Sequence, residues 1–174
     1  MNKLIIISIL SATSSKAIAE EFIFNSNLFI EKFKIRDKII SKYSHRKYDS
    51  RLFILERGKN EEILKFLGEP YNLEDVSGGN ASILNLTVST YGILENPDDE
   101  ISYHNVANCV FIEKKSGCVL YTGSINLCAG NWKKNKIWLT DEGVEIDFIE
   151  VRKAILSGKD EGKRKENYFR CGGK

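Results

Sequence analysis

The chain has 174 residues, with 26 basic and 24 acidic side chains, a formal net charge of +2 and four cysteines. That length suits one domain with an ordinary core, and no apolar run reaches the roughly 20 residues that a helix needs to cross a bilayer. The near balance of charge argues against a nucleic-acid surface. The charges are also unevenly placed. Residues 29–51 carry eight basic and three acidic side chains, 151–174 again eight and three, and 52–150 eight and sixteen. An acidic centre between basic ends suits a self-complementary fold.

The N-terminus reads Met1-Asn2-Lys3, an apolar run Leu4 to Leu10, a small polar stretch Ser11 to Ser15, then Ala17-Ile18-Ala19 ahead of Glu20-Glu21. A basic start, a short apolar core and an A-x-A site predict a cleavable signal peptide over 1–19, leaving 20–174 as a single mature domain. Leu4 to Leu10 is too short to stay in a membrane, and no cysteine marks a lipid anchor at the cleavage point. Losing Lys3 and Lys16 leaves 24 basic against 24 acidic side chains, so the mature charge is zero. The expected location is the periplasm or the extracellular space, without stable membrane insertion.

Cys109, Cys118, Cys128 and Cys171 all lie in the mature part, at separations of nine, ten and forty-three residues. An even count in an exported chain predicts disulfides, and paired close spacing for zinc is missing. Cys171 is expected to staple the C-terminal tail to a sheet, with Cys109 or Cys128 as its partner. The sequons Asn80-Ala81-Ser82 and Asn85-Leu86-Thr87 are read as chance, because the composition suits a bacterium.

Along the mature chain, Phe29, Phe33, Ile39, Ile40 and Tyr43 recur at helical spacing with Lys32, Lys34, Arg36 and Lys38 between them. This predicts an amphipathic helix over 27–44. A second helix, of two turns, is predicted within Asn60 to Pro70. Asn60 would be its N-cap and Glu61-Glu62 its acidic first turn, with Ile63, Phe66 and Leu67 as the apolar face and Gly68 and Pro70 as the stop. Residues 76–80 read as a turn. Residues 83–91 read as a half-buried strand, with Leu84, Leu86 and Val88 facing away from Asn85, Thr87 and Ser89. Residues 95–100 form an acidic loop. Val106 to Glu113 and Cys118 to Thr122 flank Lys114-Lys115-Ser116-Gly117 as a hairpin. Residues 125–128 continue the meander, and 129–135 are a polar stretch. Residues 136–140 are a strand and 141–143 a turn. Residues 144–156 are a final helix whose apolar residues are Ile146, Ile149, Val151 and Ile155. A charged, mobile segment is expected near 158–170.

No nucleophile elbow, H-E-x-x-H run or phosphate loop occurs, so no catalytic residue, metal site or cofactor is assigned. Carboxylate pairs keep a small secreted hydrolase as a lesser alternative. Large aromatics serve as interface anchors, which makes Tyr91, Tyr103, Trp132 and Trp138 the candidates for partner binding.

The passage Gly58 to Pro70, followed by strands and the hairpin around Lys115-Ser116, resembles the SmpA/OmlA (BamE-like) group of small bacterial envelope domains. The resemblance spans roughly 29–128. It implies an α+β fold, a helix pair packed on a small antiparallel sheet of three or more strands, here disulfide-stapled and carrying a C-terminal helical extension. The chain departs from the group in having no lipidated cysteine after the signal, no W-x-Y strand after the helix, and four cysteines. The functional expectation is therefore a non-enzymatic periplasmic protein that binds and neutralises another protein, of toxin-immunity or inhibitor type. The alternative is an envelope-assembly accessory of BamE-like type with an envelope component as partner.

Overall fold

The computed structural model describes residues 22–23, 27–34, 48–56, 58–67, 71–75, 79–95, 101–158 and 165–173, and within them the fold is almost wholly antiparallel β-sheet. Strands β1 (Phe22–Ile23), β2 (Leu28–Lys34), β3 (Tyr48–Glu56) and β4 (Lys59–Glu62) form a first sheet in that order. Strands β5 (Tyr71–Asp75), β6 (Ile83–Glu95), β7 (Ile101–Glu113) and β8 (Val119–Ser124) form a second. A third holds β9 (Gly130–Lys134), β10 (Ile137–Thr140) and β11 (Glu145–Asp147) in the order β11-β10-β9. Helices α1 (Phe148–Leu156) and α2 (Lys165–Arg170) close the described chain, with 3-10 turns at Lys65–Leu67 and Ile125–Cys128.

The second sheet is the middle layer, and the two-residue period of its strands explains why. Side chains alternate between the faces of a strand, so a strand apolar at both parities can be buried on both sides. Leu84, Leu86 and Val88 of β6, Val110 and Ile112 of β7 and Val119 of β8 meet Leu28, Ile30, Leu52 and Ile54 of the first sheet. Ile83, Cys109, Phe111 and Leu120 look the other way, onto Trp138, Ile146, Phe148 and Cys171. The backbone of the middle sheet is dominated by the β6–β7 hairpin, paired without a break from Ile83↔Glu113 to Glu95↔Ile101. Beyond Thr90 and Val106 neither β5 nor β8 accompanies it, so among the described residues that end is two-stranded.

The predicted helix pair on a small sheet is overturned by this arrangement. Residues 28–34 are a strand, because Phe29 and Phe33 are four apart, a spacing that satisfies a strand face as well as a helix face. Leu28 and Ile30 enter the core while Phe29 and Phe33 lie against Phe53 on the opposite face, at ring distances of 5.9 and 5.5 Å. The rest of the predicted first helix, from 35 on, lies outside the described residues. The second predicted helix is instead β4 and a 3-10 turn. Gly58, at φ +75°, sits in the tight turn that sets Lys59 opposite Glu56, and Asn60 pairs with Leu55 rather than capping anything. Two helical turns have little cooperative reserve, and the neighbouring edge of β3 outcompetes them. Gly68 to Pro70 lie outside the described residues.

Elsewhere the chain follows its pattern more closely. The strand read over 83–91 exists and runs on to Glu95, but it is buried on both faces rather than one, because Asn85 and Ser89 are covered as well. The hairpin around Lys114 to Gly117 is present, with Gly117 at φ +67° and no room for a side chain beside Ile54 and Ile63. Residues 125–128 form a 3-10 turn, and the polar stretch 129–135 supplies β9. The final helix begins at Phe148, because Glu145 to Asp147 pair with β10. Of the segment near 158–170, residues 159–164 lie outside the described residues and Lys165–Arg170 is helical. The segment read as a signal peptide, 1–19, is also outside them.

All four cysteines are paired, as Cys109–Cys128 and Cys118–Cys171. Cys171 thus joins the start of β8 rather than Cys109 or Cys128. Cys109 faces the third sheet from inside β7, where the 3-10 turn delivers Cys128, so that pair closes locally. Among the described residues no helix is long and apolar enough to cross a membrane.

Candidate functional site

Helix α1 begins where Asp147 leaves β11. Its carboxylate accepts from the backbone N–H of Ile149 at 2.8 Å and of Glu150 at 3.4 Å, and Glu150 adds negative charge in the first turn. Phe148, Val151 and Ile155 face the core formed with Phe111 and Trp138. A second stripe, Ile149, Arg152, Lys153 and Leu156, follows the i, i+3, i+4, i+7 spacing of one helical face. It forms one wall of a cleft of about 150 Å³ whose other side is made by Ser82, Ile83, Glu113, Leu120 and Lys136. Ile149 keeps 46% and Leu156 36% of their surface exposed, so the stripe is not used up by the core.

Three cations stand around this apolar floor, and two have intramolecular partners. Arg152 donates from Nη1 to Glu113 Oε1 at 2.8 Å and from Nε to the Cys171 carbonyl at 3.0 Å. Its guanidinium is therefore held between the end of β7 and the tail that Cys118–Cys171 ties down. Lys153 Nζ lies 2.7 Å from Glu150 Oε1, and that hydrogen-bonded carboxylate raises the lysine's pKa, leaving it charged. Lys136 has no ion-pair partner among the described residues. The rim carries one cation more than its paired carboxylates neutralise.

The tail that positions Arg152 is fastened by a side chain as well as by a disulfide. Asn167 of α2 is buried against the edge strand β8. Its Oδ1 accepts from Val119 N–H at 2.7 Å and its Nδ2 donates to the Val119 carbonyl at 2.9 Å. One amide thus supplies both bonds that a neighbouring strand would make there.

The four aromatics singled out as binding anchors divide into two pairs. Trp138 is 4% exposed and donates its indole N–H to the Leu127 carbonyl at 2.9 Å. Trp132 packs on it at 5.1 Å and on Phe148 at 5.8 Å, so both tryptophans serve the second core. Tyr91 and Tyr103 lie toward the far end of the β6–β7 hairpin, opposite Asn105 and Ile93, and their side chains fall outside the described residues. The cleft brings together none of the four. Its residues are legible only in part: the sequence marks Ile149 among the apolar residues of the final helix, and apolar residues at 149 and 156 beside Phe148, Val151 and Ile155 make a helix apolar on more than one side.

Both sequon asparagines are occupied by structure. Asn80 donates Nδ2 to the Asn135 carbonyl at 2.8 Å and accepts from Ser82 and Ile83 N–H. Asn85 is buried, donates to the Cys128 carbonyl at 3.1 Å, and sets its oxygen 2.9 Å from Cys128 Sγ. A disulfide sulfur carries no hydrogen, so that last approach is a packing contact.

A second polar cluster joins β3, β4 and β5. Arg51 Nη1 lies 3.5 Å from Glu62 Oε2, and Tyr71 Oη accepts from Leu52 N–H at 3.4 Å. Burial first, and the adjacent Glu62 next, raise the Tyr71 pKa, so the phenol stays neutral. Tyr71 is buried, and the cluster bridges the first two sheets. Among the described residues no three His, Cys, Asp or Glu side chains converge as a metal site.

Compared with known proteins, the chain matches no family model, no curated protein and no solved structure.

Proposed function

We propose that this protein is exported and works by binding another protein, in the manner of an inhibitor or immunity protein, without catalysing a reaction. The observation that carries the reading is the α1 stripe. Ile149 and Leu156 stay half-exposed over the cleft, while Arg152 beside them is held by Glu113 and the Cys171 carbonyl. Apolar side chains at the centre of a small patch with a polar rim are how interface anchors are built. Two disulfides and the A-x-A pattern at Ala17 to Ala19 support an oxidising destination.

The partner test is affinity capture from envelope and culture fractions with the full-length chain as bait, in wild-type and Ile149→Glu forms. A stoichiometric partner retained by the wild type and lost by the variant, at unchanged melting temperature, is the expected result. Equal capture by both forms, or no partner at micromolar bait, overturns it. Export is checked separately by N-terminal sequencing of the secreted product, which should begin at Glu20.

A further inference from the structure

Resting on that protein-binding reading, we infer that the cleft beside α1 takes one large apolar side chain of the partner, flanked in the partner's sequence by carboxylates. Size decides the first half. Sites for drug-sized ligands and cofactors occupy about 300–1,000 Å³. At about 150 Å³ this cleft is smaller, and matches the apolar cavities that accept a single benzene-sized group. Ile83, Leu120, Phe148, Ile149 and Leu156 give it an apolar lining, so a phenyl or branched aliphatic side chain fits its chemistry.

Charge decides the second half. Glu113 and Glu150 engage Arg152 and Lys153, which leaves Lys136, on the opposite wall, as the surplus charge among the described residues. A basic residue entering the cleft would add to a rim that already carries one net positive charge. An acidic one would find Lys136 at once and compete for Arg152. Rim charges of this kind select partners and steer encounter more than they add affinity. The occupant is therefore an acidic-apolar-acidic segment.

The test uses the full chain, disulfides intact, and three blocked tripeptides: acetyl-Glu-Phe-Glu-amide, acetyl-Lys-Phe-Lys-amide and acetyl-Glu-Gly-Glu-amide. Binding is followed by NMR at the Ile149 and Leu156 methyl groups and the Lys136 amide. Saturable shifts confined to those positions are expected with the first peptide alone. Lys136→Glu should weaken that peptide by up to about fivefold, the range of one exposed ion pair, and admit the lysine peptide. Equal binding of the two phenylalanine peptides, shifts elsewhere, or no saturation up to about 10 mM overturns the inference. Failure here with successful Ile149-dependent capture would sink the recognition chemistry and leave the protein-binding reading standing. Loss of capture with intact peptide binding would do the reverse.

Discussion

Asn167 shows how much one side chain carries in a fold built on sheet edges. Its two hydrogen bonds to Val119 occupy a buried backbone donor and acceptor at once. Asn167→Ala strands both, at a cost of about 1–3 kcal/mol for each buried group left without a partner. The expected outcome is a lower denaturation midpoint with an unchanged denaturant slope, read by chemical unfolding. Asn167→Asp keeps the bond from the N–H but sets a carboxylate against the Val119 carbonyl, and should recover little. Tyr71 acts through protonation. Its folded-state pKa is raised above the ordinary 10.0, so the folded state keeps a proton that the unfolded chain releases. The stability tied to that proton is fully present below about pH 10 and is lost as pH rises above it. Stability measured between pH 9 and pH 11 should fall more steeply in the wild type than in Tyr71→Phe. Equal slopes would show that Tyr71 ionises as it does in the unfolded chain.

At the scale of single elements, α1 owes its start to one carboxylate. Asp147 is the last residue of β11 and the N-cap of the helix, so one side chain sets where the strand stops and the stripe of Ile149, Arg152, Lys153 and Leu156 begins. Asp147→Ala should cost about 1 kcal/mol of stability. It should also loosen the first turn, seen as faster amide exchange at Ile149 and Glu150. Unchanged exchange at those two amides would assign the helix start to packing of Phe148 alone. Strand β4 makes the contrary lesson. Asn60-Glu61-Glu62 carries every local mark of a helix start, yet β3 lies one tight turn away and Lys59 to Glu62 pair with it. Capping signals are worth about 1 kcal/mol, and a neighbouring strand with free backbone groups outweighs them. The β6–β7 pairing is legible only in part: 83–91 alternates, but β7 is apolar at both parities from Cys109 to Ile112.

Across the whole molecule, the two disulfides do different jobs. Cys109–Cys128 closes a separation of 19 residues beside Asn85, within the second core. Cys118–Cys171 closes 53 and ties α2, and through it Arg152, to the middle sheet. On the loop-entropy account the longer link contributes about 4 kcal/mol, a large share of the 5–15 kcal/mol typical of a domain. Cys118→Ala/Cys171→Ala should therefore melt well below the wild type. In calorimetry it should lose far more than the replacement of any single surface residue. A melting temperature within about 2 °C of the wild type would show that Asn167 and the helix contacts hold the tail unaided. The sequence by itself determined that the cysteines pair, that residues 106–122 form a hairpin, that Leu84, Leu86 and Val88 share a face, and that a helix ends near Leu156. Those features are local: a turn residue, a two-residue period or a cysteine count specifies each one. Only the tertiary structure decided that Cys118 rather than Cys109 or Cys128 meets Cys171, and that 28–34 and 59–62 are strands. It alone also put Trp138 inside, with Trp132 partly buried against it, while leaving Ile149 and Leu156 over a cleft. The physical reason is shared. A spacing of four residues fits a helix and a strand equally, and an apolar side chain is anchor or core according to which layer comes to lie over it.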